Sequence, residues 1–496
     1  MKRLTDQQIY RFYEMIPGLF IWIVLLGSII LSIFKPVWVI YFILVFDLYW
    51  LVRIVYFSIL LMYSWHQYQK TVKIDWLEKT KKNLGWEDIY HLVFFATYKE
   101  DVDVIATSFE SLIKNNYPLD KFIVVLAGEE RDKEHFLQAA EIVKKRFGDK
   151  FLRFFITVHP KDVVGEIPGK GSNLHWAGHQ AQKLIDELNI TYEKIIVSSF
   201  DIDTCVHSQY FSYLTYVYLT TPNPTNASYQ PVALFNNNIW ESPVLTRLVA
   251  RGTTFWLLTE LSKPQLYFTF SSHSLSFKTL VDIGFWQKDV VTEDSRIFLQ
   301  CFNHYNGDYR TVPLYISVSM DTVYCGSLWK TLVNQYKQML RWGYGVENVP
   351  WMLWNFSRNK KMPFWQKIKP FWLQFEGSCT WAIVPIMIFV LGNLPIYIAH
   401  IRERTEAIVQ NAPFILERIM GVAMIGIVLA AILSTILLPP RPSKSKLSTC
   451  FWMLVQWLIF PFTMIIFGSI PAAEGITRLM LGKYLGFRVT EKKRAS

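Results

Sequence analysis

Asp201-Ile202-Asp203 closes the apolar run Ile195-Ile196-Val197-Ser198-Ser199-Phe200. Two carboxylates one residue apart, at the end of a buried strand, offer oxygen ligands to a hard divalent cation such as Mg²⁺ or Mn²⁺. A cation held there would neutralise a diphosphate and help it depart. Alone, the pair reads equally as a solvated turn or a helix cap. Far along the chain stands Thr292-Glu293-Asp294, just before the helix-like stretch Ser295 to Phe302. That triplet suits an N-terminal cap. Folded close to the first pair, its carboxylates could instead take a proton from an attacking group. Gln338-Met339-Leu340-Arg341-Trp342 completes the set. On a helix Gln338, Arg341 and Trp342 share one face. They present an amide, a guanidinium suited to phosphate and an indole able to stack on a sugar. The competing reading is an amphipathic helix with an interfacial Trp.

The elements around these residues alternate in character. Leu92-Val93-Phe94-Phe95-Ala96, Phe122-Ile123-Val124-Val125-Leu126, Phe154-Phe155-Ile156-Thr157-Val158 and Ile195 to Ser199 are short β-like runs. Between them lie helical patterns at Asp103 to Asn116, Lys133 to Arg146 and Leu174 to Asn189. Such alternation predicts an α/β domain with a mostly parallel sheet and crossover helices. Ligands in such sheets sit beyond the carboxyl ends of the strands, where Asp201 and Asp203 fall.

The 496 residues are 51% hydrophobic and 16% aromatic, with apolar character gathered in blocks. That is the pattern of an integral membrane protein with a large aqueous domain. Pro17 to Phe34 and Val37 to Met62 are expected spans, as are Cys379 to Ala399, Ile419 to Leu438 and Cys450 to Ala473. Pro363 to Phe375 mixes Trp365, Phe371 and Trp372 with Lys367 and Lys369, as a helix in the membrane surface does. Inside the second span, Asp47 should face a partner or a wet cavity, and Arg53 should snorkel. The expected organisation is residues 1–66 as a two-span membrane region and 67–362 as the cytoplasmic catalytic domain. Residues 363–496 would be the interfacial helix, the remaining spans and a cytoplasmic tail.

The net charge of +11 marks cytoplasmic segments rather than a nucleic-acid surface, because no basic stripe interleaved with aromatics occurs. The basic loop Arg441 to Lys446 and the basic tail Arg478 to Arg494 both belong on the cytoplasmic side. Five full crossings would put that tail outside. One late segment is therefore expected to dip or lie at the interface, and Cys450 to Ala473, with Pro461 and Pro471, is the candidate. The five scattered cysteines contain no close pair and give no zinc signature. His175 and His179 stand four apart but no HExxH pattern surrounds them.

With these motifs in order, the chain resembles the membrane-embedded family 2 glycosyltransferases of the cellulose, chitin and hyaluronan synthase type. That family carries DxD, TED and QxxRW between transmembrane helices. Phe487-Arg488-Val489-Thr490-Glu491-Lys492 also resembles its FxVTxK gating loop. The resemblance implies a nucleotide-diphospho-sugar transferase domain of GT-A type. Asp294 would be the general base, grouped with Glu293 and Arg341 as the catalytic set. Asp203 would hold the metal with Asp201 beside it. Gln338 and Arg341 would meet the diphosphate, Trp342 the acceptor sugar, and Thr490 the nucleotide. Thr97-Tyr98-Lys99-Glu100 falls where the family contacts uridine, so Thr97, Tyr98 and Glu100 are candidate donor contacts. Lys170-Gly171-Ser172-Asn173 resembles the KAGN-like segment near the donor. The implied reaction is inverting hexosyl transfer from a nucleotide-sugar donor to a growing β-linked glycan, with export through the helices as a further implication. A membrane-lipid acceptor is the alternative, and an inactive scaffold the remote one.

One departure stands out. The family has an Asp-Asp pair after the second strand; here Leu126 and Ala127 occupy those places. Glu129 or Glu130 would have to substitute.

Overall fold

The computed structural model describes residues 5–263, 268–440, 451–453 and 455–486. Eight strands form one mixed sheet: β1 (Tyr90–Ala96), β2 (Phe122–Glu129), β3 (Arg153–His159), β4 (Ile195–Asp201), β5 (Cys205–Val206), β6 (Ala227–Phe235), β7 (Ser274–Ser276) and β8 (Arg310–Met320). Their order is β3-β2-β1-β4-β7-β6-β8-β5. The first four strands pair in parallel, as their βαβ pattern requires. Their crossovers are the helices Val102–Ile113, Lys133–Phe147 and Lys170–Glu187. β2 is buried along its whole length, which explains why its sequence is a continuous apolar run rather than an alternating one.

The second half of the sheet departs from the parallel plan. β7 runs antiparallel to both β4 and β6, while β6 and β8 pair in parallel. Both long strands contain proline, Pro231 in β6 and Pro313 in β8, and their register shifts between Pro231 and Val232. Proline removes a ladder donor and demotes such a run as a strand prediction. These residues still form strands because both faces are covered: Val232 and Leu234 pack toward the Val244–Leu261 helix, Ala233 and Phe235 toward the main core.

Among the described residues, five helical stretches are long and apolar enough to cross a membrane: Asp6–Phe34, Pro36–Thr71, Phe364–Ile401, Ala407–Ile436 and Phe451–Met480. Residues 363–375 do not form a helix of their own. They run without interruption into the Phe364–Ile386 helix. The last stretch is irregular: a 3₁₀ turn at Gln456–Ile459, a short helix at Phe460–Met464 and a π-helical turn at Ile465–Ser469 precede the Ile470–Met480 helix. Prolines 461 and 471 remove amide donors there.

Arg53 does not snorkel free. It pairs with Glu376 and lies over the rings of Trp50 and Phe57. Asp47 is buried with Oδ1 unpartnered among the described residues.

Candidate functional site

The carboxyl ends of β1, β2 and β4 open into a cavity of about 890 Å³ that continues between the apolar helices. Asp201 ends β4, and Asp203 follows in the turn toward β5. Asp294 sits in the first turn of the Glu293–His304 helix, next to the strand end. The two acidic clusters meet at one group. The Lys170 ammonium lies 2.7 Å from Asp201 Oδ1 and 2.9 and 3.1 Å from the two oxygens of Asp294. Glu293 is 3.9 Å from the same nitrogen. Lys170 opens the Lys170–Glu187 helix, and Gly171 lets that helix approach closely. A Cβ at Gly171 would come 3.0 Å from Gln287 O and 3.2 Å from Glu293 Cβ.

Charge balance follows from this geometry. Burial lowers the Lys170 pKa, but the acidic groups around the ammonium, Asp201 and Asp294 foremost, raise it by more and leave it above its ordinary value. Burial, and then the charge of Asp294, push Glu293 well above the usual carboxylate range. Burial also pushes Glu100 up to about 7.

Asp203 is buried, and its Oδ2 accepts from the Asp321 amide at 2.8 Å. Asn237 Nδ2 bridges the Asp203 carbonyl and Asp321 Oδ1 at 3.0 and 2.9 Å. Ser271 Oγ donates to Asp201 Oδ2 at 2.7 Å. His273 lies 3.8 Å from Asp294, fully buried, and desolvation lowers its pKa. Asp321, Ser271 and His273 thus join the site without any sequence signal. They fall in no spaced motif, and only the antiparallel insertion of β7 and the end of β8 bring them in.

No group of three metal-ligating side chains occurs among the described residues. Asp201 and Asp203 nevertheless suit Mg²⁺ or Mn²⁺ in one specific way. Mg²⁺ is commonly held by one or two carboxylates together with substrate phosphates. The Lys170 ammonium already stands between the acidic clusters, at a point that calls for positive charge.

Gln338, Arg341 and Trp342 all line the cavity from the Leu328–Gly343 helix. Gln338 Oε1 accepts from Gln335 at 3.0 Å, and the Arg341 charge reaches Glu293. The Trp342 ring packs on Phe270 and Phe235 at 5.7 and 6.2 Å. Thr97, Tyr98 and Glu100 line the other wall, where Glu100 Oε2 accepts from Thr97 Oγ1 at 2.7 Å and Tyr98 N at 2.6 Å.

Glu129 lines the cavity but is engaged, accepting from Arg131 Nε at 2.8 Å while Arg131 covers the Tyr98 ring at 4.5 Å. Glu130 stands differently. It is absent from the cavity wall and accepts instead from the Lys161 amide at 2.9 Å. β2 ends at Glu129, and Glu130 begins the 3₁₀ turn Glu130–Asp132. Thr490 and the rest of Phe487 to Lys492 lie outside the described residues.

A family model described as glycosyl transferase family group 2 matches residues 196–467. The chain belongs to glycosyl transferase family group 2. It is a family 2 glycosyltransferase with an α/β sheet domain and helices able to span a membrane. No curated protein sequence matches it. A solved mannosyltransferase from Pyrobaculum calidifontis, PcManGT, in complex with GDP-Man and Mn²⁺, is similar at 15% identity. That match covers 82% of this chain and 98% of the other, with a TM-score of 0.43. Residues 1–349 of S. aureus TarS give 14% identity, 66% and 90% coverage and a TM-score of 0.30. The same fragment with UDP-GlcNAc gives 13%, 66% and 91%, and 0.31. Likenesses this remote bring neither donor nor acceptor to this glycosyltransferase.

Proposed function

We propose that this glycosyltransferase moves a hexose, with inversion, from a nucleotide sugar to an acceptor that approaches along the membrane-facing cavity. The observation that carries the proposal is the Lys170 bridge between Asp201 and Asp294. It supports a shared site for the donor's diphosphate and the attacking hydroxyl. Asp294 is the general base, taking the proton from the acceptor as the anomeric carbon is attacked. The diphosphate leaves on the opposite face, so one base suffices without a covalent intermediate. Glu293, largely protonated by its burial, limits repulsion beside Asp294. Arg341 and Gln338 hold the departing diphosphate, and Trp342 stacks on the acceptor sugar.

Asp201 and Asp203 would hold the divalent ion, together with donor phosphate oxygens. When bound, it neutralises the leaving group. Tyr98, beneath Arg131, and Glu129 form the wall against which the base rests. The catalytic domain faces the cytoplasm, where nucleotide sugars are found.

For the acceptor, a growing β-linked polysaccharide of the cellulose, chitin and hyaluronan synthase type is supported by aromatic lining. Trp342, Phe270 and Phe235 form one aromatic cluster on the cavity wall, and Trp381 lines it as well. A membrane lipid acceptor is the second reading. It is favoured by Met420, Ala423, Met424 and Ile427, which add an apolar stretch to the cavity wall. Polymer or single-sugar glycolipid, separated by size from a reaction with radiolabelled donor, distinguishes the two.

The metal assignment has its own test. Calorimetry with UDP and GDP, with and without Mg²⁺ or Mn²⁺, should show metal-strengthened binding that Asp203→Ala removes. Equal affinity for each nucleotide with and without either ion would remove the metal from the mechanism.

A further inference from the structure

The Val244–Leu261 helix carries two arginines one turn apart, Arg247 and Arg251, both buried. Arg247 is satisfied, donating from Nε to Gln456 Oε1 at 3.1 Å and from Nη1 to the Ser242 carbonyl at 3.0 Å. Arg251 is only 1% exposed, yet neither Nη1 nor Nη2 has a hydrogen-bond partner among the described residues. Two further buried donors near it are also unpaired, Thr254 Oγ1 and Trp457 Nε1. The Trp457 ring stacks on Phe255 at 5.9 Å. Arg247, Arg251 and Phe255 follow one another at four-residue spacing and so share a face. Arg251 therefore stands between two contacts to the Gln456–Ile459 turn.

A buried guanidinium with no counter-charge is costly, and a second one beside it adds repulsion. Among the described residues no carboxylate is paired with either arginine. Glu260, on the same helix, is engaged by Lys263 and lines the large cavity instead. Burial and the neighbouring Arg247 push Arg251 down to about 10, which leaves it cationic at neutral pH. The arrangement of donors without acceptors calls for an anion with several oxygens.

Its surroundings indicate which anion. The segment that covers the arginines exposes Phe451, Trp452 and Leu458 at its outer surface. An exposed Trp beside aliphatic residues is the signature of the bilayer interface, the depth at which lipid phosphates lie. On the other side, Ser64 of the Pro36–Thr71 helix bonds Ser262 and the Leu258 carbonyl, fixing the arginine helix against a membrane span. A hydrogen bond of ordinary length, Arg247 Nε to Gln456 Oε1 at 3.1 Å, ties the turn to the arginine helix.

We propose that Arg247 and Arg251 bind the phosphate of an anionic membrane lipid, at a site separate from the Asp201–Asp294 centre. Arginine pairs with phosphate oxygens in bidentate fashion, with Thr254 and Trp457 as additional donors. The site stands whether or not the glycosyl-transfer mechanism above is right, since its readout is lipid retention.

The test uses the full-length protein, delipidated in detergent, with native mass spectrometry and thermal melting. Dioleoyl phosphatidic acid should remain bound at one per chain and raise Tm, whereas dioleoylglycerol, with the same tails and no phosphate, should do neither. Arg251→Gln should weaken retention at least tenfold, and Arg251→Lys should retain part of it. Inorganic phosphate at millimolar concentration should displace the lipid. Equal retention of the two lipids by the wild-type protein would overturn the proposal even if Arg251→Gln fails to fold. Inorganic phosphate binding as tightly as the lipid would overturn the lipid assignment. Outside the described residues the sole acidic side chain is Glu491. If Glu491→Gln lowers the Tm of the lipid-free protein as much as Arg251→Gln does, the chain's own tail fills the site and the proposal fails.

Discussion

Single residues in the cavity carry opposing electrostatic demands. Lys170 gathers Asp201, Glu293 and Asp294 around one ammonium, and burial then penalises whichever carboxylate is least compensated. Glu100 shows the same rule with a measurable sign. Its folded pKa of about 7 lies above the ordinary value of 4.5, so the native state binds the extra proton. Stability from this group is full below about 4.5 and declines as pH rises toward 7. Glu100→Gln should therefore match the wild type in Tm at low pH and gain on it progressively up to about pH 7. A difference that does not vary with pH would refute the assignment. Asp201, Asp203, Asp294, Gln338, Arg341 and Trp342 were legible because their spacing within strand ends and helix turns is local. Lys170 was legible only as a neighbour of the donor. Its bond to Asp294 depends on packing between distant helices, and no local pattern encodes that. The same holds for His273 and Asp321.

At the scale of elements, the site depends on how closely two helix N-termini approach. The Lys170–Glu187 and Glu293–His304 helices meet where Gly171 faces Gln287 and Glu293. Gly171→Ala would press a methyl group into that contact. Overpacking of this kind costs about 1–3 kcal/mol. Both a lowered Tm and a slower transfer rate are expected, because Lys170 and Asp294 would be moved apart. A variant with unchanged rate and stability would show that the contact is not tight. The parallel half of the sheet was readable from β-branched runs alternating with helical ones. β6 and β8 were not, since Pro231 and Pro313 contradict strand formation locally and are overridden by burial on both faces.

At the scale of the whole molecule, the Asp6–Phe34 and Ile470–Met480 helices are joined. Arg11 caps the Ile470–Met480 helix, with Nη1 2.6 Å from the Leu479 carbonyl, and Trp22 Nε1 donates to Thr477 at 3.0 Å. Tyr484 donates to Glu14 at 2.9 Å. The first and last helices therefore run antiparallel, so the start of one and the end of the other belong on one side of the bilayer. Five apolar stretches would place them on opposite sides if all crossed. The irregular Phe451–Met480 stretch, tied at Gln456 to the sheet domain, is the one that turns back in this account. Cysteines introduced as Gln8→Cys or Lys483→Cys, with native thiols replaced by Ser, should react with an impermeant maleimide from the same face of sealed vesicles. Labelling from opposite faces would show that all five cross.

The central claim is that distant carboxylates act on one donor at one cavity, with Asp294 as the base. Sugar transfer by Asp294→Asn, measured beside its donor affinity, tests this most directly. Donor binding should persist within a few-fold of the wild type while transfer falls by about 10²–10⁴-fold. Transfer at the wild-type rate would contradict the account.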